Sequence, residues 1–157
     1  MTLEIRKVVA SDISDLKIVL DSSNLFPSEF LDGMISEYLN DPNTEEIWFT
    51  GINDGIAVAL GYCVPEKLTD GTYNLLAIAV KGELQRNGVG KKMMTFVENL
   101  LVQNGKRLLI VETSSEDHYE LARNFYEKIG YTREATVRDF WKEGDSKIIY
   151  RKKLTSK

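Results

Sequence analysis

Between an apolar run at residues 73–80 and a helical pattern beginning at residue 89, the chain reads Gln85-Arg86-Asn87-Gly88-Val89-Gly90. Val89, Met93, Phe96, Val97, Leu100 and Leu101 then recur on one helical face. A glycine pair at a helix start has a definite chemical use. The first N–H groups of a helix lack internal partners and lie at the positive end of its dipole, and the missing Cβ lets an anion approach them. The turn therefore suits a phosphate or pyrophosphate, or else it is a glycine-assisted turn that binds nothing.

Two phosphate-binding patterns fail on inspection. A Walker loop needs a glycine five residues before Gly90 and a hydroxyl residue after Lys91; Gln85 and Lys92 stand there instead. A dinucleotide fingerprint built on Gly88 and Gly90 needs a third glycine at position 93, which is Met93.

The elements that must carry this turn are readable from pattern. A half-buried strand is expected at residues 3–8 and a helix through Ile13, Leu16, Val19 and Leu20, capped by Ser11. A second helix is expected at residues 28–39, with residues 22–27 as a lip over a substrate pocket. Residues 47–52 and 56–64 read as a hairpin turning at Asn53-Asp54-Gly55. Residues 73–80 read as a buried central strand and 107–112 as another, each followed by an amphipathic helix, the second over residues 119–129. Strands at residues 131–137 and 147–154 close the pattern, joined by a polar segment at 138–146. The order gives an α/β mixed sheet with helices on its faces.

A chain of 157 residues with 43% hydrophobic and 28% charged residues is expected to form one domain, 1–157. There is no apolar run of the roughly 20 residues a membrane span needs and no signal-peptide pattern, so a soluble, cytoplasmic protein without membrane partners is expected. The net charge of −4 gives no support for nucleic-acid binding and fits a cationic amine. One cysteine, Cys63, and one histidine, His118, are too few for a nitrogen and sulfur metal site, so no metal is expected and Cys63 is read as a packing residue.

Gln85-x-x-Gly88-x-Gly90, directly after a strand pattern, resembles motif A of the GCN5-related N-acetyltransferase (GNAT) superfamily. Downstream, Ala122-Arg123-Asn124-Phe125-Tyr126-Glu127-Lys128-Ile129-Gly130-Tyr131 resembles its motif B, Ala-x-x-Phe/Leu-Tyr-Glu-x-x-Gly-Phe/Tyr, position by position. Two matches in the family's order are more specific than either alone. The resemblance implies an α+β fold with a mixed, mostly antiparallel sheet of six to seven strands and about four helices. It implies an N-acetyltransferase that uses acetyl-CoA and passes an acetyl group to a primary amine by direct attack through a tetrahedral intermediate.

In that reading Gln85, Arg86, Asn87, Gly88, Val89, Gly90 and Lys91 hold the pyrophosphate, and Leu76, Ile78 and Val80 bind the pantetheine arm through backbone groups. A backbone N–H near Ile78 meets the oxyanion. Tyr126 takes the family's general-acid position; a phenol at about 10 against a thiol at about 8.5 is protonated at neutral pH and can donate.

Two positions depart from the family pattern. Asn74 stands where many members carry a glutamate base, which leaves Glu112 as the leading carboxylate, with water relays or Glu29 as other routes. Tyr119 stands where many carry an asparagine against pantetheine; Asn124 or Ser114 would take over that contact. Phe140-Trp141 either lines the acceptor pocket or packs at a dimer edge, and a homodimer is left open. The competing reading is a non-catalytic acyl-CoA-binding or sensor module with the same fold.

Overall fold

The computed structural model describes residues 2–155. These residues divide into two compact units, 2–65 with 76–100, and 66–75 with 101–155. The first holds β1 (Leu3–Lys7), α1 (Ile13–Ser23), α2 (Leu31–Asn40), β2 (Ile47–Asn53), β3 (Ile56–Pro65), the second half of β4 (Thr72–Val80) and most of α3 (Val89–Gln103). The second holds the first half of β4, β5 (Leu108–Ser114), α4 (Glu120–Lys128), β6 (Thr132–Lys142) and β7 (Asp145–Lys153). Strand order is β1-β2-β3-β4-β5-β7-β6, with β4 and β5 parallel. The β1–β2, β2–β3, β5–β7 and β6–β7 ladders are antiparallel. Among the described residues this is the expected mixed sheet of seven strands with four α-helices, none long and apolar enough to cross a membrane.

Period-three-and-four patterning places Leu16 and Leu20 of α1 and Leu31 and Ile35 of α2 in one core with Val8, Trp48, Leu60 and Tyr62. Trp48 and Tyr62 face each other across the β2–β3 ladder and stack at 3.8 Å. Asp54 and Gly55 both take positive φ, the backbone that a two-residue hairpin turn requires. Cys63 is fully buried on β3, where desolvation pushes its thiol up.

Two local expectations are corrected. Ser11 does not cap α1. A 3-10 turn at Ala10–Asp12 precedes the helix, and the Asp12 carboxylate accepts the Val9 N–H at 2.9 Å. Nor is 138–146 a connecting segment: β6 runs to Lys142 and β7 starts at Asp145, leaving Glu143-Gly144 as the turn. Gly144 has φ 85°, and Asp139, with φ 57°, accepts its N–H at 3.0 Å across an irregularity in the ladder. Residues 132–137 lie in the strand expected at 131–137, but residues 138–142, exposed like the rest of β6, carry none of the apolar alternation that marks strands in sequence.

Candidate active site

In the first unit, β4 hands over to α3 through a short pinned loop. Lys81 N–H donates to the Val58 carbonyl at 2.8 Å and Gly82 N–H to Ser22 Oγ at 3.1 Å, so the end of α1 touches the loop's entry. Gln85 turns its side chain back, Nε2 donating to the Val80 carbonyl at 3.1 Å. The backbone then passes through two left-handed residues, Arg86 at φ 69° and Gly88 at φ 80°. Turns of this kind point successive amides the same way and make anion-binding concavities.

The first helical bond of α3 runs from Lys92 N–H to the Gly88 carbonyl at 3.2 Å. The amides of Val89, Gly90 and Lys91 precede it and have no acceptor inside the helix. The first turn of α3 holds no acidic side chain, while Arg86, Lys91 and Lys92 are exposed around it. A Cβ on Gly88 would meet nothing within 4 Å, so the glycine is required by its φ and by approach to the backbone. Val89 is buried and anchors the helix start; Asn87 is exposed with the rest of the turn. Open amides, positive side chains and unobstructed backbone together fit the pyrophosphate of a coenzyme.

The central strand is less closed than its apolar composition implies. Tyr73, Leu75, Ala77 and Ala79 are buried, but Leu76 on the alternate face is 50% exposed and Ile78 and Val80 are half-buried. The parallel ladder with β5 joins Thr72–Leu75 to residues 108–111, and Leu76, Ile78 and Val80 lie beyond its register.

The second unit gathers four polar residues. Asn74 is 3% exposed, and its Nδ2 donates to Glu66 Oε1 at 2.8 Å and to Glu112 Oε1 at 3.1 Å. Both amide protons are used on carboxylates, which fixes which end of the amide is nitrogen. Lys147 Nζ meets the other oxygen of Glu112, Oε2, at 2.8 Å. Lys147 also lies 3.8 Å from the Phe140 ring centroid. Register explains the assembly. Glu112 sits opposite Ile149 on β7, diagonal to Lys147, and two residues beyond Ile110, the parallel neighbour of Asn74. Asn74 Oδ1 is buried with no hydrogen bond among the described residues, an arrangement that costs about 1–3 kcal/mol.

Neither Glu66 nor Lys147 is singled out by sequence reasoning; their relevance arises only from register. Glu112 lies within β5, not at its end, and both of its carboxylate oxygens are engaged. Tyr126 is 5% exposed, the buried residue of α4, and its ring packs against Phe125, Tyr131 and Tyr150. Burial pushes its phenol above the usual tyrosine range, so it holds its proton at neutral pH.

Ser114 Oγ is committed to the Asp145 carboxylate and accepts the Glu116 N–H, whereas Asn124 is exposed. Tyr119 ends a 3-10 turn with its ring against His118. Phe140 and Trp141 are each 48% exposed, in edge contact with one another, and Trp141 Nε1 donates to the Thr113 carbonyl at 3.3 Å.

The model of the GNAT acetyltransferase domain matches residues 43–133, more than half of the chain. The chain belongs to the GNAT acetyltransferase family. Its structure is similar to that of a Desulfovibrio desulfuricans protein assigned to the same family, at 27% identity and TM-score 0.91, covering 98% of this chain and 100% of that one. The same fold is found in the ribosomal-protein-S18-alanine N-acetyltransferase of Escherichia coli, at 16% identity and TM-score 0.80, covering 99% and 96%. It is found again in the PaiA N-acetyltransferase of Thermoplasma acidophilum in complex with coenzyme A, at 20% identity and TM-score 0.73, covering 98% and 99%. A search of curated proteins by sequence gave no match.

Proposed function

We propose that residues 1–157 form one acetyl-CoA-dependent N-acetyltransferase acting on a primary amine. The observation that carries this reading is the loop before α3: left-handed Arg86 and Gly88, and helix-start amides without a competing acid. Coenzyme A in the complex with PaiA, a protein of the same fold, supports the choice of ligand. In this reading the amides from Gly88 to Lys91 hold the pyrophosphate, with Gln85, Arg86 and Asn87 shaping the turn. Leu76, Ile78 and Val80 offer backbone to the pantetheine arm, and Asn124 is the side-chain amide assigned to it. When bound, acetyl-CoA supplies an activated acetyl thioester.

The chain's own residues then handle charge and protons. A backbone N–H near Ile78 donates to the carbonyl oxygen as it gains charge. Glu112 takes the proton that the acceptor amine must lose, and Tyr126 donates its hydroxyl hydrogen bond to the departing sulfur. The S18-alanine enzyme and PaiA share the fold while their names give different acceptors or none, so the acceptor is sought by assay.

Thiol release from acetyl-CoA is measured across alkyl amines, diamines, aminoglycosides and peptide amino termini. Turnover on at least one amine that saturates is the expected result. Acetyl-CoA binding without turnover on any of them makes the chain an acyl-CoA-binding or sensor module instead.

A further inference from the structure

Asn74 is a costly residue to keep: nearly fully buried, one amide oxygen unpartnered, both amide protons spent on carboxylates. We propose, resting on the acetyltransferase reading above, that Asn74 and Lys147 are positioning residues that fix Glu112 for proton removal, and that Asn74 holds Glu66 beside it through the same amide group.

Geometry supports a positioning role. A carboxylate that must receive a proton from a substrate has to be held at one orientation, and a lone ion pair on a long lysine holds it poorly. Glu112 is gripped from two sides, by Asn74 Nδ2 on Oε1 at 3.1 Å and by Lys147 Nζ on Oε2 at 2.8 Å. The side chains of Lys147 and Glu112 are mostly buried, so the pair is only weakly screened. Each carboxylate oxygen retains a further lone pair when it accepts one hydrogen bond, so the grip leaves room for a proton.

Charge counting gives the charge that each variant changes. Two carboxylates, one ammonium and a neutral amide leave the cluster one negative charge in excess, and Glu66 and Glu112 share a single NH2 group. The charged groups that the structure sets against Glu112 are Lys147 on β7 and, across the Asn74 amide, Glu66 in the link between β3 and β4.

The test is the acid limb of the pH dependence of kcat/KM for the amine that turns over, read in four variants. Glu112→Gln should abolish the limb with its activity loss. Lys147→Met removes a cation and should move the limb to higher pH; Glu66→Gln removes a like charge and should move it to lower pH. Asn74→Leu should move it up and lower kcat, while KM for acetyl-CoA stays within about twofold in all four.

Opposed shifts from Lys147→Met and Glu66→Gln are something a merely structural role cannot produce, and both substitutions keep a side chain of similar length and volume, so these variants fold even if Asn74→Leu does not. Limbs that overlay the parent's for both, while Glu112→Gln removes the limb, overturn the proposal and leave Glu112 as the base. A limb that survives Glu112→Gln overturns the base assignment and the proposal with it. Absence of turnover on every amine overturns the acetyltransferase reading itself.

Discussion

In the proposed reaction Tyr126 is suited to half of its task. Burial raises its phenol further from the thiol range, so it is always protonated but a reluctant acid. Even at reference values, passing a proton from phenol to thiolate is uphill by about 2 kcal/mol. Hydrogen-bond donation to a sulfur gaining charge is the larger part of what it can offer. Tyr126→Phe is therefore expected to lower kcat by about 10²-fold, the low end for a positioned proton donor. The contacts the structure gives its side chain are ring contacts with Phe125, Tyr131 and Tyr150, which phenylalanine keeps. Steady-state kinetics beside thermal melting separate the two effects: an unchanged kcat ends the acid assignment, and an unchanged melting temperature is expected.

Elements depend on residues that pattern reading assigns only approximately. The entry to α1 is held by Asp12, which accepts from Arg6 at 2.8 and 3.0 Å and from the Val9 N–H at 2.9 Å. The Arg6 hydrogen bonds hold the Asp12 carboxyl below its usual range against the opposing effect of burial. A lowered folded value means stability that is complete above the unfolded carboxylate value and lost as pH falls through the folded one. Asp12→Asn should cost about 1–2 kcal/mol near neutral pH, reduced by the partial exposure of Arg6. In urea unfolding that deficit should stay constant from about pH 5 to 8 and shrink below about pH 4; a deficit that does not change with pH places the stabilisation elsewhere. Elements with local signatures, such as the Asp54-Gly55 hairpin and the amphipathic α3, are legible in the sequence. The extension of β6 over residues 138–142 is not, because its strand state comes from pairing with β7 and not from apolar alternation.

At the scale of the whole molecule, the loop before α3 is legible because it is contiguous: glycines, strand and helix lie within thirty residues. The carboxylate cluster is not, because Glu66, Asn74, Glu112 and Lys147 meet only through the registers of β4, β5 and β7. What the loop holds can be read from the stability of the entire chain. A ligand that binds only the folded state adds about 2.7 kcal/mol at one hundred times its Kd. For a chain of 157 residues each kcal/mol raises the melting temperature by about 2–4 °C, so saturating acetyl-CoA should raise it by about 5–10 °C. Gly88→Val puts a β-branched residue at φ 80° and a side chain over the loop amides. Nothing lies within 4 Å of the new Cβ, so the cost falls mainly on the loop. That variant should melt within a few degrees of the parent without ligand and lose most of the acetyl-CoA shift, whereas Tyr126→Phe should keep it. A full shift in Gly88→Val would show that the coenzyme is held somewhere other than the start of α3.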